Sequence, residues 1–276
     1  MTAKQGDEQA RRQYWKESYD KAYEFMRELY RVPLEECGEE VVPLEAAAAE
    51  AGVEVTFSTR PHIGGGTRRF FLRRGLIEGF LGAARAMNGR GWVLHVEDAH
   101  RTPAMQGGAW RSPAVFRTIL DRVRWELGGA APPEDLLHRR LASLVAACPR
   151  IGGHLAGAAL DVSVFRRGAE LARGGPYLEM SEKTPMDSPF VSARARRNRK
   201  AITEVFEAFG FAPYPYEFWH YSRGDVQEAV IRRSGRPARY GPVDFDPPSG
   251  KVTPVPNPTD PFMGLDEVRK MIAAAT

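Results

Sequence analysis

The chain runs to 276 residues, 43% of them hydrophobic, with a formal net charge of +4 and acids and bases interleaved along most of its length. That is enough apolar material for a buried core without staples, and two cysteines outside any CxxC pair, Cys37 and Cys148, exclude a disulfide framework and leave a thiolate zinc site unsupported. The opening residues lack the apolar stretch of a secretory signal, and no later run reaches the roughly 20 apolar residues that cross a bilayer, so a soluble, cytoplasmic protein without a membrane partner is expected.

Tyr19, Tyr23, Met26 and Tyr30 recur at spacings of four, three and four, which predicts a helix over 8–30, closed by Pro33. Val53-Glu54-Val55-Thr56-Phe57 alternates as a half-buried strand does. The run His62-Ile63-Gly64-Gly65-Gly66 lacks the Lys-Ser/Thr ending of a phosphate loop and reads as a flexible turn. A helix is expected over 68–88, stopped by Gly89 and Gly91. A short strand, Trp92-Val93-Leu94-His95-Val96, then delivers the polar turn Glu97-Asp98-Ala99-His100-Arg101. Helices follow over 113–127 and 134–147, the first with Ser112 as N-cap and Pro113 at its first position. Gly152, Gly153 and Gly157 break any helix ahead of the alternating strand Leu160-Asp161-Val162-Ser163-Val164-Phe165. Ser192 caps a helix that reaches Phe209 and ends at Gly210. Five cations near its start, Arg194, Arg196, Arg197, Arg199 and Lys200, read as a solvated face rather than as a nucleic-acid patch. Pro213 and Pro215 force an extended approach to Glu217-Phe218-Trp219-His220-Tyr221. Residues 244–261 form a proline-rich arm on the surface, and a short helix near 264–274 closes the chain. Helices mixed with short strands, without regular alternation, predict an α+β fold.

Of the six histidines, His62, His95 and His138 lie in a glycine loop, a strand and a basic helix, and read as surface or core residues. His154 and His220 have acidic company. In Gly153-His154-Leu155-Ala156-Gly157-Ala158-Ala159-Leu160-Asp161 small residues let the backbone double back, so an imidazole and a carboxylate can converge on one ion, a donor pair that suits zinc. In Glu217-Phe218-Trp219-His220 a glutamate three residues before a ligand can stand beside the ion without binding it and take a proton from the water it activates. A straight strand would turn Glu217 and His220 to opposite faces, so this chemistry requires a bend before Trp219. The other reading of the segment is a buried aromatic strand with a salt-bridged histidine. Together His154, Asp161 and His220 make three ligands with a fourth position open, and Arg101, on the turn after a strand, is the candidate to hold an oxyanion.

These segments, in this order, resemble the D-alanyl-D-alanine dipeptidase branch of the zinc DD-peptidase (peptidase M15) family, whose pattern is D-A-Y-R-P, then S-x-H-x-x-G-x-A-x-D, then E-x-W-H. Here they stand as Asp98-Ala99-His100-Arg101-Thr102-Pro103, His154 to Asp161 with Gly157 and Ala159 matching, and Glu217 to His220; Asn198-Arg199 and Ala208-Phe209-Gly210-Phe211 are also similar. The resemblance covers roughly 70–245. It implies one Zn2+ held by His154, Asp161 and His220, Glu217 as catalytic base, Arg101 as transition-state stabiliser, and a central antiparallel sheet flanked by helices. The implied layout is one zinc-peptidase domain over 1–276: a catalytic core over about 70–245, an N-terminal extension over 1–66 packed on it, and a C-terminal arm over 246–276. The implied partner is a small peptide substrate, most simply D-Ala-D-Ala. Gly152 stands where the family has serine, His100 replaces tyrosine, Thr102 is inserted, and 179–187 matches the M-G-T-x-F-D loop only loosely; the resemblance implies that this serine and this loop help grip the substrate's free amine. The alternatives are a zinc DD- or LD-carboxypeptidase or amidase acting on a larger cell-wall or specialised-metabolite peptide, and, from another class, a non-catalytic zinc-binding module. A structural site needs no spare base, so Glu217 speaks against the last.

Overall fold

A computed structural model describes residues 3–275. In chain order the helices are α1 (Ala3–Leu29), α2 (Leu44–Glu50), α3 (Ile77–Asn88), α4 (Pro103–Arg111), α5 (Pro113–Glu126), α6 (Glu134–Leu144), α7 (Ala193–Ala208), α8 (Val226–Ile231) and α9 (Leu265–Ala275). The strands are β1 (Val41–Pro43), β2 (Val55–Phe57), β3 (Phe71–Arg73), β4 (Val93–Asp98), β5 (Ala159–Arg166), β6 (Ala169–Glu170), β7 (Ala212–Pro213), β8 (His220–Ser222), β9 (Val243–Phe245) and β10 (Val252–Pro254). The central sheet has the order β2-β4-β5-β8-β7, with β6 paired to the end of β5. Its ladders are antiparallel as expected, except that β2 joins β4 in parallel at the edge. Helices mixed with this sheet make the α+β class. No described helix is long and apolar enough to cross a membrane.

Alternation along β4 and β5 divides the sheet into two working faces. Leu94, Val96, Leu160, Val162 and Val164 pack with Phe80, Ala83, Met87, Ile202, Val205 and Phe206 of α3 and α7 in the largest apolar cluster. Asp161 and Ser163, one residue out of phase, turn to the other face. Register then sets a row across three strands: Asp98 of β4 pairs with Asp161 of β5, after a shift between Val96 and Asp98, and Asp161 pairs with His220 of β8. A second apolar cluster joins α4, α5, α6 and α9 through Trp110, Phe116, Ile119, Leu120, Leu137, Leu141 and Val268. Helix α1 lies on α5 and α6, with Trp15, Tyr19 and Ala22 fully buried.

Several elements differ from the sequence expectation. The helix expected over 68–88 begins only at Ile77, because Phe71–Arg73 pairs with Val41–Pro43 and the buried Arg73 guanidinium bonds Glu36 and the carbonyls of Glu39, Ala156 and Gly241. Helix α4 was unexpected; Thr102 caps it through the Met105 N–H at 3.2 Å, with Pro103 at its first position. Its Gly108 and the loop residue Gly64 touch backbone to backbone, since a Cβ on Gly108 would lie 2.0 Å from the Gly64 carbonyl oxygen and one on Gly64 1.9 Å from that of Met105. The glycine run at 62–66 is thus a close-approach surface rather than only a flexible turn. The proline-rich arm contains the β9–β10 ladder. Ser112 and Ser192 do cap their helices through the amides of Val115 and Ala195, and Gly210 takes φ +89° just past α7. Of the basic run, Arg199 is buried and donates to the carbonyls of Arg173, Lys183, Pro185 and Met186, while Arg196 donates to that of Val191.

Candidate metal centre

The loop ahead of β5 winds through bonds from the Leu155 and Ala156 amides to the Gly152 carbonyl and from the Ala158 amide to that of Gly153. Gly157 leaves this turn at φ +63°, a conformation that costs glycine nothing. The loop thereby sets His154 beside Asp161, with Nε2 3.1 Å from Oδ1. On β8 the bend that the chemistry required is present: the His220 amide donates to the Glu217 carbonyl at 3.3 Å, closing a turn over 217–220. His220 Nδ1 then lies 2.9 Å from the same Asp161 oxygen. His154, Asp161 and His220 are all buried, and one ligand atom from each falls within 4.8 Å of the others.

The outward nitrogens fix the tautomers. His154 Nδ1–H donates to the Ala99 carbonyl at 2.5 Å, and His220 Nε2–H donates to Gln227 Oε1 at 2.9 Å. Each ring then turns a bare nitrogen toward a carboxylate oxygen. Three lone-pair donors, two imidazole nitrogens and one carboxylate, face one another in a buried site, and a cation is what that arrangement fits. Asp161 Oδ2 is steadied by the Arg101 guanidinium at 2.8 Å and the Tyr177 hydroxyl at 2.9 Å. Arg101 also donates through Nε to Asp98 at 2.8 Å and, more weakly, through Nη1 to Gln106 Oε1 at 3.3 Å. Asp98, fully buried, further meets Arg68 at 3.2 Å and His62 at 3.3 Å.

Burial alone would raise the carboxyls of Asp161 and Asp98. For Asp161 the neighbouring His154, His220 and Arg101 outweigh it, and for Asp98 Arg101 and His62 do, so both are held below the usual carboxylate range. Burial lowers the His154 imidazole, and Arg101 adds to the effect. Burial also opposes charge on His220, but the Asp161 carboxylate beside it wins and the imidazole is raised. Glu217 is moved the other way: burial, with Asp161 reinforcing it against His220, pushes its carboxyl up to about 7. Arg101, Gln106, His154, Asp161, Glu217, Trp219, His220 and Gln227 share one cavity of about 70 Å3.

All five residues singled out from the sequence therefore meet at one place. Four participants were missed. His62 was set aside as a surface or core histidine, yet it is tied to Asp98. Tyr177, Gln227 and the unpartnered, buried Tyr214 lie on segments with no local signal of function. Asp187, in the loosely matched loop, is exposed and outside the cavity lining.

Residues 143–234, which carry His154, Asp161, Glu217 and His220, match the family model described as Peptidase_M15, D-ala-D-ala dipeptidase. The segment that holds the site is thus similar to the M15 peptidases, and the chain is an enzyme of the peptidase class. Within that class the likeness is to the D-alanyl-D-alanine dipeptidases: a protein of that name from Synechocystis sp. is 25% identical, over 70% of this chain and 85% of its own length. A solved LD-carboxypeptidase, LdcB, described for its recognition of peptidoglycan, aligns with a TM-score of 0.38 and 17% identity over 78% of this chain and 79% of its own.

Proposed function

We propose that the chain hydrolyses a small peptide in a zinc-dependent reaction, with His154, Asp161 and His220 holding the ion and Glu217 as the general base. The observation that carries this reading is the convergence of two bare imidazole nitrogens on Asp161, with Glu217, a carboxyl whose pKa is near 7, lining the same cavity. A bound zinc supplies Lewis acidity, polarising a peptide carbonyl and making water more acidic. Glu217 takes the proton of the attacking water and gives it to the departing amine, a task matched by a pKa close to working pH. The Nη1 of Arg101, whose bond to Gln106 is its longest, is the donor free to turn to the developing oxyanion, a contribution on the order of 3–4 kcal/mol for a single donor. Its other donors keep Asp161 ionised. Gln227 and the Ala99 carbonyl hold the two imidazoles in the ligating tautomer.

The core over about 70–245 carries these groups, while Met26 of α1 reaches the cavity, so the N-terminal extension is part of the working unit. A cavity this small takes a short stretch of peptide. The relatives' names make D-Ala-D-Ala the first substrate to test. Purified protein should release D-alanine, lose that activity to a chelator and regain it with zinc. Hydrolysis indifferent to complete metal removal would overturn the zinc assignment. One bound zinc with no hydrolysis across free and acylated D,D- and L,D-peptides would overturn the peptidase assignment.

A further inference from the structure

The cavity that holds the site has an apolar wall contributed by distant parts of the chain: Met26 of α1, Ile63, Val115 of α5, Leu144 of α6, Leu178 and Met180. Its polar side chains beyond the site, among the described residues, are Gln106, Gln227, Tyr214 and the Trp219 indole, all uncharged, and the buried Tyr214 hydroxyl has no partner within the protein. Two carboxylates line it among the described residues, Asp161 and Glu217. Both are committed. Asp161 faces the two imidazoles with one oxygen and accepts from Arg101 and Tyr177 with the other. Glu217 has to be free to accept a proton. Of the acids close by, Asp98 is paired with Arg101 and Arg68, and Glu182 with Arg11 at 2.8 Å and Arg122 at 3.6 Å, while Asp225 sits behind Gly153 outside the lining, one oxygen accepting from Ser222 and the Glu228 amide and the other without a partner.

A free dipeptide carries an ammonium at neutral pH, since an α-amine titrates near about 8. Moving it into this cavity strips its water and offers no anion in return, a loss that apolar contacts do not repair. A blocked amine behaves differently. An amide is neutral, the Tyr214 hydroxyl can accept from its N–H and the Gln227 NH2, whose Oε1 is taken by His220, can donate to its C=O, and an acyl or side-chain hydrocarbon meets the apolar wall. We propose that this enzyme prefers peptides whose amino side is uncharged, N-acylated and apolar, over free zwitterionic dipeptides. The proposal rests on the peptidase reading above and narrows its substrate.

Binding decides it separately from turnover. Zinc-loaded Glu217→Gln protein should bind N-acetyl-D-Ala-D-Ala at least about tenfold more tightly than D-Ala-D-Ala by calorimetry. Val115→Asp, or Met180→Glu if that variant does not fold, places a carboxylate in the apolar wall and should move the ratio about tenfold toward the free dipeptide. Equal or tighter binding of the free dipeptide overturns the proposal, and so does failure of both peptides to bind. Wild-type turnover then tests the other assignment. If the acetylated peptide binds preferentially but neither is hydrolysed, the peptidase reading falls and the preference stands. Hydrolysis of D-Ala-D-Ala with the higher kcat/KM leaves the peptidase and removes the preference.

Discussion

Gln227 accepts the Nε2 proton of His220 at 2.9 Å, and that contact leaves Nδ1 as the nitrogen turned to Asp161. Without it the ring could place its proton on either nitrogen and rotate. Gln227→Ala is expected to weaken zinc about 10–100-fold in chelator competition, with the circular dichroism unchanged. An unaltered affinity would remove Gln227 from the site's support. In the proposed reaction Glu217 plays the opposite part, close to the three metal-holding residues but serving proton transfer rather than binding. Glu217→Gln keeps the size and loses the base, so one zinc per chain should remain by elemental analysis while kcat falls about 1,000-fold, roughly 4 kcal/mol of barrier. Loss of zinc in that variant would mean Glu217 is itself a ligand; near-normal kcat would mean another group moves the proton.

His100 shows what one residue does for an element. It is fully buried on the turn after β4, its Nε2–H donates to the Val243 carbonyl at 2.9 Å, and its ring meets the edge of Phe245 at 4.8 Å, so it pins β9 to the turn that carries Arg101. Burial lowers its imidazole to about 4, the bond to Val243 only partly offsetting this. An imidazole whose pKa is depressed on folding stabilises fully above its unfolded value near 6.5, and that stability drains as pH falls toward 4. The drain amounts to at most about 3 kcal/mol. Denaturant unfolding of the wild type should show this loss between pH 6.5 and 4, and His100→Gln, which keeps a donor but does not titrate, should lose much less over the same range. Parallel pH profiles for the two proteins would refute the assignment. Elements of this kind also mark the limit of the sequence. Caps and stops such as Ser112, Ser192 and Gly210 are local chemistry and were legible, as were His154 and Asp161 across a glycine turn and Glu217 ahead of His220. Asp98 was seen as a turn residue but not as the anchor of Arg101, because its position opposite Asp161 depends on a register shift in β4. Helix α4 was hidden by Gly107 and Gly108, which lower helix propensity where Gly108 must touch Gly64. Tyr177 and Gln227 reach the site only through tertiary placement.

Across the whole molecule, the site depends on helices that contribute no ligand. Helix α1 is fixed to α5 and α6 by a buried polar cluster: Arg140 donates to Glu126 at 2.6 and 2.9 Å and to Asp20 at 2.7 Å, and the Trp15 indole donates to Glu126 at 2.8 Å. The Arg140 and Glu126 side chains are only 1% and 4% exposed, so solvent does not screen this pair as it would a surface one. Two ions so placed recover in attraction roughly what they lose in hydration, and their net worth against apolar residues of the same size is small. Breaking the pair on one side is another matter, because Glu126 would stay buried with the indole as its remaining partner. Arg140→Ala should therefore cost about 3–5 kcal/mol in urea unfolding, and Arg140→Met combined with Glu126→Gln should recover at least half of that. Because α1 also brings Met26 to the cavity wall, loosening it should raise KM before it lowers kcat at temperatures below the unfolding transition. If Arg140→Ala is as stable as the wild type, the pair is open to water and α1 is held by its apolar face alone. If instead the single and double variants are equally destabilised, the loss comes from packing around Arg140 and not from the stranded charge.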